Sequence, residues 1–271
     1  MSTACDLGRP IRVVMFGGTY LQPGAVEFAA MLEQHPDVDL LLVLNQGEGT
    51  GARHRFIDVW RRRGWVAFPL MSVELATFVL RLMREPRAVL DLQRQARVVR
   101  AKLVTVRNLH SRDVLDRLNA LQPDLGVIYG SPILRRELFQ IPSFGTLGIH
   151  HGRVPDYRGK KTTFWEMYNG EDVAGVTIQR INPGVDTGDV AKAGAVEIGR
   201  KSYLRVEREV EQLGFALYLE AILDVRRGTA SYRPQSSQSM PARIYRQPAP
   251  ADIARLWYRR ILRRLNILGS T

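Results

Sequence analysis

Short runs of consecutive apolar residues alternate along the chain with segments in which apolar residues recur at helical spacing. The runs IRVVMFGG at 11–18 and VDLLLVLN at 38–45 predict buried strands, and GAVEFAAMLEQH between them predicts a helix. This order is typical of a βαβ unit with parallel strands. The first run ends in FGGTY, which lacks the GxGxxG spacing of a dinucleotide-binding turn, so we interpret it as a glycine turn after a strand.

The same pattern continues through the middle of the chain. Residues 53–104 alternate arginines with apolar residues and predict mainly helices with solvated charged faces. A helix that ends near Pro123 precedes LGVIY at 125–129, and LGVIY and TLGIH at 146–150 each predict a strand. Later segments predict a helix (TTFWEMYNGE), two strands (AGVTIQRI and VAKAGAVEI) and a long helix from about Tyr203 to Arg226. The alternation predicts an α/β fold with a doubly wound, mostly parallel sheet.

The composition changes near the C-terminus. From Arg233 to Pro250 the chain is rich in Pro, Ser and Gln, which indicates a linker or a wrapping arm. We therefore predict one large domain over residues 1–230 and a short C-terminal extension over residues 231–271, made of an arm and an amphipathic basic helix. The apolar face of that helix carries Ile253, Trp257, Ile261, Leu265 and Leu268. Such a stripe most often packs on its own domain or in a homo-oligomer, and the alternative is peripheral contact with an anionic membrane.

Length and composition place the chain among folded proteins of enzyme size. It has 271 residues, of which 45% are hydrophobic, enough to bury one large core or two smaller ones. No apolar run reaches the length of a spanning helix, and MSTACDLGRP has no signal-type apolar core. The single cysteine, Cys5, excludes an internal disulfide framework and a Cys-rich metal site. We expect a cytoplasmic protein.

The net charge of +12 attracts anions in general and does not by itself identify a partner. The arginines cluster in several segments, but the chain contains no zinc-finger, RNP or heptad pattern that would turn basic charge into specific recognition. Nucleic acid is therefore not the expected partner.

Two adjacent histidines follow one of the predicted strands, in the segment GIHHGRVPDYRG at 148–159. In open α/β sheets this carboxyl edge is where ligands bind. A histidine at a strand end is usually a hydrogen-bonded polar residue without a catalytic role. The loop NPGVDTGD, further along the chain, carries carboxylates, and a carboxylate beside an imidazole is a common catalytic arrangement.

HHGRVPDYRG followed by WEMYNGEDVAGVTIQRINPGVDTGDV resembles, in residue types and order, the formyltransferases that use 10-formyltetrahydrofolate. That family includes glycinamide ribonucleotide, methionyl-tRNA and sugar-nucleotide formyltransferases. The resemblance is close over residues 118–196 and loose over the N-terminal half. It implies a formyltransferase-like, Rossmann-type catalytic domain. It also implies transfer of a formyl group from 10-formyltetrahydrofolate to a primary amine, which we expect to belong to a small metabolite, without a metal ion.

The resemblance also assigns residues to roles. The spacing to Pro155 matches His150 with the family's catalytic histidine, and VDTGD matches Asp186 with its catalytic aspartate. The implied folate contacts are Tyr129, Pro132, Ile133, Leu134 and Val185. On the acceptor side the candidates are His151, Arg158 and Lys160, where the two cations would hold a phosphate or carboxylate unless they form only a solvated basic turn. Glu166 is a candidate carboxylate near the site.

These residue types suit transfer between two nitrogens, which needs attack on a carbonyl, a tetrahedral oxyanion and movement of a proton. An imidazole can donate a hydrogen bond to the oxyanion. A carboxylate beside it can fix the tautomer of the ring, stabilise its charged form and relay a proton.

One position departs from the family pattern. The asparagine expected two residues before His150 is replaced by Gly148, which has no side-chain donor. Loss of one oxyanion donor lowers the rate by about 10² to 10³ in well-studied hydrolases. Either His151 or Lys160 replaces the missing donor, or the transferase is slower. The remaining alternatives are other carbonyl chemistry on this fold, such as amide or formyl hydrolysis, and a non-catalytic binding protein.

Overall fold

The computed structural model describes residues 6–18, 23–47, 86–100, 102–235 and 243–264. The part of the expected helical segment before residue 86 lies outside the described residues. The chain divides into two compact units, an N-terminal unit within residues 9–146 and a C-terminal unit that combines residues 147–271 with 1–8.

The N-terminal unit contains four strands and four helices in its described part. The strands are β1 (Ile11–Gly17), β2 (Val38–Gln46), β3 (Leu103–Val106) and β4 (Leu125–Tyr129). The helices are α1 (Pro23–Gln34), α2 (Pro86–Arg100), α3 (Arg112–Leu121) and the single turn α4 (Arg136–Phe139). All three strand pairings are parallel, in the order β3-β2-β1-β4. Four consecutive residues of β1, from Val13 to Phe16, are fully buried, as expected for a parallel strand that is covered on both faces.

The C-terminal unit begins within β5 (Thr146–His150) and holds the predicted catalytic segments. Its other strands are β6 (Arg158–Gly159), β7 (Val173–Arg180), β8 (Val190–Glu197) and β9 (Ile244–Tyr245). Its helices are α5 (Thr162–Asn169), α6 (Tyr203–Arg227) and α7 (Pro250–Arg264). β7 pairs in the antiparallel sense with both β5 and β8, and the β5–β7 register places Gly148 opposite Gln179 and His150 opposite Thr177.

The long helix α6 supports these strands. It begins after Ser202, whose hydroxyl oxygen accepts a hydrogen bond from the backbone N–H of Arg205, and it ends at Gly228 in the left-handed conformation. Its buried face includes Val206, Val210 and Tyr218. The Tyr218 hydroxyl donates to the Leu147 carbonyl oxygen at 2.7 Å, which ties the helix to the start of the β5 segment in this unit.

The described parts of the C-terminal arm pack along the same unit. Arg233 and Val190 exchange two backbone hydrogen bonds of 2.8 and 2.9 Å. Further along, β9 pairs in parallel with β6, and the Trp165 indole N–H donates to the Arg246 carbonyl oxygen at 2.8 Å. The arm is therefore fixed at two points, one at the start of β8 and the other beside the segment that follows β5.

The terminal helix α7 does not bury the stripe that the sequence pattern predicts for packing. Ile253, Trp257 and Ile261 are 42%, 51% and 52% exposed, whereas the neighbouring Leu256 is only 4% exposed. Arg260 donates to the Gly199 and Lys201 carbonyl oxygens, so the face that includes Leu256 and Arg260 contacts the unit. The outer two residues of the predicted stripe lie outside the described residues. None of the helices described is long and apolar enough to cross a membrane.

Candidate active site

His150 is the last residue of β5, and its imidazole ring is buried. The ring Nε2 lies 2.6 Å from the Tyr157 carbonyl oxygen, and the ring Nδ1 lies 3.4 Å from Asp186 Oδ1. Both nitrogens therefore face oxygen acceptors. A neutral imidazole donates to one of them and an imidazolium donates to both. The two acceptors fix the plane of the ring at the strand end.

Asp186 comes from the loop between β7 and β8 and approaches the imidazole from its Nδ1 side. Its backbone φ is +50°, in the left-handed region that aspartate tolerates better than most residues. The carboxylate Oδ2 accepts from the Gly159 N–H at 2.8 Å, and Oδ1 accepts from Gln179 Nε2 at 3.3 Å. The structure thus brings together His150 and Asp186 from two separate sequence motifs. Their catalytic role stays a prediction.

The sequence NPGVDTGD builds the loop that carries Asp186. The Asn182 side-chain oxygen accepts from the Gly184 N–H at 3.0 Å and from the Thr187 hydroxyl at 2.7 Å, which closes the turn locally. A Cβ atom at Gly188 would lie 1.5 Å from the Arg180 carbonyl oxygen. Glycine is therefore required at position 188, because the loop backbone passes directly against the end of β7.

Two glutamines that were not among the predicted site residues also contact Asp186. Gln179 on β7 is 3% exposed and donates to the carboxylate. Gln235, from the C-terminal arm, donates to the Gln179 side-chain oxygen at 3.1 Å and to the Asp186 carbonyl oxygen at 3.0 Å. Thr177 and Gln179 are both buried and polar and stand two positions apart on one face of β7, which is the only signal in the pattern for Gln179. The pattern contains no signal for Gln235.

His151, a predicted acceptor-side residue, sits beside His150 with part of its surface exposed. Burial lowers the pKa of His151 to about 4, with the neighbouring imidazole of His150 contributing in the same direction. His151 is therefore a neutral imidazole at pH 7. Its carbonyl oxygen accepts a hydrogen bond from the Thr162 hydroxyl at the start of α5.

This pKa makes the stability of the chain depend on pH through His151. The unfolded chain binds a proton near pH 6.5 and the folded chain only near pH 4, so stability falls as the pH is lowered through this window. As the pH is lowered from 7 to 4.5, we expect the free energy of unfolding of the wild-type chain to fall relative to that of His151→Gln. The difference should change by up to about 1.4 kcal/mol per pH unit. Urea unfolding of both chains between pH 7 and pH 4.5 measures the difference. Parallel pH profiles would contradict a neutral buried His151.

Glu166, the candidate carboxylate near the site, is enclosed in the unit. It is 0% exposed and accepts from Arg153 Nε at 3.1 Å and from the Gly175 N–H at 3.1 Å. Burial raises the pKa of Glu166 to about 7, against the opposing effect of its hydrogen bond with Arg153. Arg153 also pairs with Glu171 and lowers the pKa of that carboxyl. Glu166 thus ties the segment after β5 to α5 and β7.

The predicted acceptor cations differ in their surroundings. The Arg158 Nη2 donates to Gln235 Oε1 at 2.9 Å, so its guanidinium is held by the C-terminal arm. Lys160 is exposed, and its backbone N–H donates to the Tyr245 carbonyl oxygen at 2.8 Å. Within the described residues, no group of three or more His, Cys, Asp or Glu side chains could hold a metal ion.

The predicted folate contacts fall in both units. In the N-terminal unit Tyr129 and Leu134 are buried, while Pro132 and Ile133 are exposed, Ile133 at 79%. In the C-terminal unit Val185 is 43% exposed in the loop that carries Asp186. Two of the five residues, Ile133 and Val185, are large apolar side chains that face solvent.

Curated relatives with similar sequences are methionyl-tRNA formyltransferases. The protein from Chloroflexus aggregans is 38% identical over 130 residues, which cover 47% of this chain and 42% of that protein. The protein from Agathobacter rectalis is 30% identical over 141 residues, 50% of this chain and 43% of that protein. The matched part of the chain thus spans only about two fifths of the length of these relatives.

Solved structures of formyltransferases share the fold. Glycinamide ribonucleotide transformylase 1 from Symbiobacterium toebii has a TM-score of 0.56 at 16% identity, over 83% of this chain and 95% of that one. A sugar N-formyltransferase from Shewanella sp. has a TM-score of 0.55 at 15% identity, over 90% and 86% of the two chains. These similarities confirm the prediction of an α/β fold with a doubly wound, mostly parallel sheet.

The family match itself covers residues 83–222, which correspond to the formyl transferase family. This span is more than half of the chain and contains the segments that carry His150 and Asp186. The resemblance stated from the sequence motifs is therefore confirmed, and the chain belongs to the formyl transferase family.

Proposed function

We propose that this protein transfers a formyl group from 10-formyltetrahydrofolate to a primary amine of a small metabolite. The observation that carries the proposal is the buried imidazole of His150 at the end of β5, with its Nδ1 3.4 Å from Asp186 Oδ1. In a member of the formyl transferase family, this pair suits the movement of an acyl group and a proton between two nitrogens.

In the proposed reaction, the amine nitrogen of the acceptor forms a bond to the formyl carbon, and the carbonyl oxygen becomes an oxyanion. The bond between that carbon and N10 of the folate then breaks, and one proton passes from the amine to N10. His150 donates a hydrogen bond to the oxyanion. Asp186 holds the ring in one orientation and stabilises the imidazolium when the ring carries the proton.

The hydrogen bond between His150 Nε2 and the Tyr157 carbonyl oxygen, at 2.6 Å, has a consequence for substrate binding. An oxyanion can accept from Nε2 only when this carbonyl or the ring changes position, so substrate and carbonyl compete for one donor. A Cβ atom at Gly152 would lie 2.8 Å from Nε2, so the glycine leaves space beside this nitrogen.

For the folate we propose contacts with Tyr129, Pro132, Ile133, Leu134 and Val185. A pterin is flat and needs apolar contact with a few fixed polar groups. The exposed side chain of Val185, at 43% exposure, supplies apolar surface in the loop that carries Asp186. For the acceptor we propose His151, Arg158 and Lys160, with the two cations binding an anionic group.

Replacement of Val185 by serine tests the folate contact. We expect Val185→Ser to raise the Kd for 5-formyltetrahydrofolate, a stable reduced folate, by about three- to tenfold, because apolar contact area is lost at the site. Isothermal titration calorimetry measures the change. Leu204→Ser is the matched control, since Leu204 is also an exposed apolar residue, at 69%, but lies on α6. Equal Kd values for wild type and Val185→Ser would remove Val185 from the proposed folate site.

The function is tested by incubating the wild-type chain with 10-formyltetrahydrofolate and a panel of amines. The panel contains amino sugars, amino acids, phosphorylated amines and methionyl-tRNA, and mass spectrometry detects the formylated product. Formylation of a small amine is the expected result, and formylation of methionyl-tRNA alone would replace the proposed acceptor class. Release of formate without an acceptor would indicate the hydrolytic chemistry suggested by Gly148, and folate binding without turnover would indicate a binding protein.

A further inference from the structure

We infer that Gln235 is a positioning residue for the pair formed by His150 and Asp186, an inference that rests on the proposed function. Gln235 lies in the C-terminal arm, 49 residues after Asp186 in sequence. The motifs that carry the family resemblance do not include this part of the chain. Its side chain nevertheless reaches the loop that presents the carboxylate.

Every polar atom of the Gln235 amide is engaged. Nε2 lies 2.8 Å from the Gly188 carbonyl oxygen, 3.0 Å from the Asp186 carbonyl oxygen and 3.1 Å from Gln179 Oε1. On the other side, Oε1 accepts from Arg158 Nη2 at 2.9 Å. A rotated amide would place its oxygen against three oxygens and its NH₂ group against a guanidinium. The surroundings therefore allow one orientation of the Gln235 amide.

This orientation fixes the next residue in the chain of hydrogen bonds. Because Gln235 donates to Gln179 Oε1, the Gln179 amide presents its own Nε2 to Asp186 Oδ1, at 3.3 Å. The same Oδ1 lies 3.4 Å from His150 Nδ1. The donor and acceptor directions of the hydrogen bonds from Arg158 to the imidazole of His150 therefore depend on Gln235, which does not itself contact the imidazole.

Gln235 also holds the backbone of the loop. The two carbonyl oxygens to which it donates belong to Asp186 and Gly188, on either side of Thr187. Asp186 adopts a φ of +50°, which the local chain alone disfavours. The arm can supply this restraint because Arg233, two residues earlier, is paired with Val190 through two backbone hydrogen bonds.

Two substitutions separate the effects of shape and polarity. Gln235→Glu keeps the size of the side chain and an acceptor for Arg158, but it removes the donor that faces the three oxygens. Gln235→Leu removes all four hydrogen bonds. The matched control is Gln247→Leu, at an exposed glutamine of the same arm. Thermal unfolding establishes that each variant is folded before it is compared.

The first measurement does not depend on enzyme activity. The chain contains five histidines, so selective ¹⁵N labelling of histidine gives few signals, and His150→Gln assigns those of His150. We expect both Gln235 variants and Gln179→Leu to shift the ring ¹⁵N resonances of His150 towards a mixture of tautomers, and Gln247→Leu to leave them in place. Unchanged His150 resonances in both folded Gln235 variants would overturn the inference.

The second measurement is kinetic. We expect Gln235→Leu and Gln235→Glu to lower kcat for formyl transfer roughly tenfold to thirtyfold, with the Kd for reduced folate unchanged within about twofold. The double variant Gln179→Leu/Gln235→Leu should lose no more than the worse single variant, because both residues act through Asp186. Full kcat in both Gln235 variants would overturn the inference. Absence of transfer by the wild-type chain would overturn the proposed function instead, and the His150 resonances would still decide whether Gln235 positions the pair.

Discussion

Replacement of Asp186 by asparagine should lower kcat for formyl transfer by about 10² to 10⁴-fold and leave the Kd for reduced folate nearly unchanged. Asparagine keeps the shape of the side chain but has one acceptor, which the Gly159 N–H already uses at 2.8 Å in the wild type. The NH₂ group would then face His150 Nδ1, so the ring could not donate from Nδ1 while Nε2 donates to the oxyanion, and the imidazolium would lose its anionic partner. Single-turnover assays with saturating 10-formyltetrahydrofolate measure the loss.

Asp189→Asn is the control for Asp186→Asn, since Asp189 is an exposed aspartate of the same loop. His150→Ala should lose as much activity as Asp186→Asn, and the double variant should lose little more, because the two residues act as one unit. Transfer that survives His150→Ala unchanged would refute the mechanism and leave the activity itself standing.

The strands of the sheet were predictable because parallel strands are buried on both faces and therefore form continuous apolar runs. β4 and β5 have the bounds that LGVIY and TLGIH predict. β3 is the exception, since Leu103–Val106 begins at the end of a segment expected to be mainly helical. The two-residue strands β6 and β9 are too short for any period to be visible, and only their pairing with each other defines them.

The sequence gives candidate site residues only where they lie in local motifs. The resemblance assigns His150 through its spacing to Pro155 and Asp186 through the VDTGD loop, and the structure places the two side chains 3.4 Å apart. Gln235 could not be found, because its place beside Asp186 depends on the pairing of Arg233 with Val190. Long-range pairings of this kind have no periodic signal in the sequence.

For Glu166, the sequence indicated a place near the site but not the burial of the side chain. Glu166 was a candidate carboxylate near the site, and the structure places it, fully buried, in an ion pair with the partly exposed Arg153. Whether a carboxylate faces solvent or the interior depends on a partner that lies 13 residues away in sequence. The helical spacing of TTFWEMYNGE predicts the helix but not which of its polar residues is enclosed.

Arg153→Met should therefore destabilise the chain by about 1 to 3 kcal/mol at pH 8, because it leaves the 0% exposed carboxylate of Glu166 without its cation and hydrogen-bond donor. Urea unfolding followed by tryptophan fluorescence measures the change. The control Arg112→Met removes an arginine whose side chain is 92% exposed, and it should change stability by less than about 0.5 kcal/mol.

The charge of Glu166 makes the loss of stability in Arg153→Met, called the deficit below, depend on pH. With a pKa of about 7, Glu166 in the wild type is largely protonated at pH 5 and ionised at pH 8, and loss of the arginine raises that pKa further. The unfolded chain ionises this carboxyl near pH 4.5, so the deficit should grow as the pH rises from 5 to 8. Arg153→Met/Glu166→Gln should recover much of the loss at pH 8, because a buried amide costs less than an unpaired carboxylate. A deficit that is the same at both pH values would show that the arginine stabilises the unit through packing on Tyr157 and its bond to Glu171, and not by compensating the charge of Glu166.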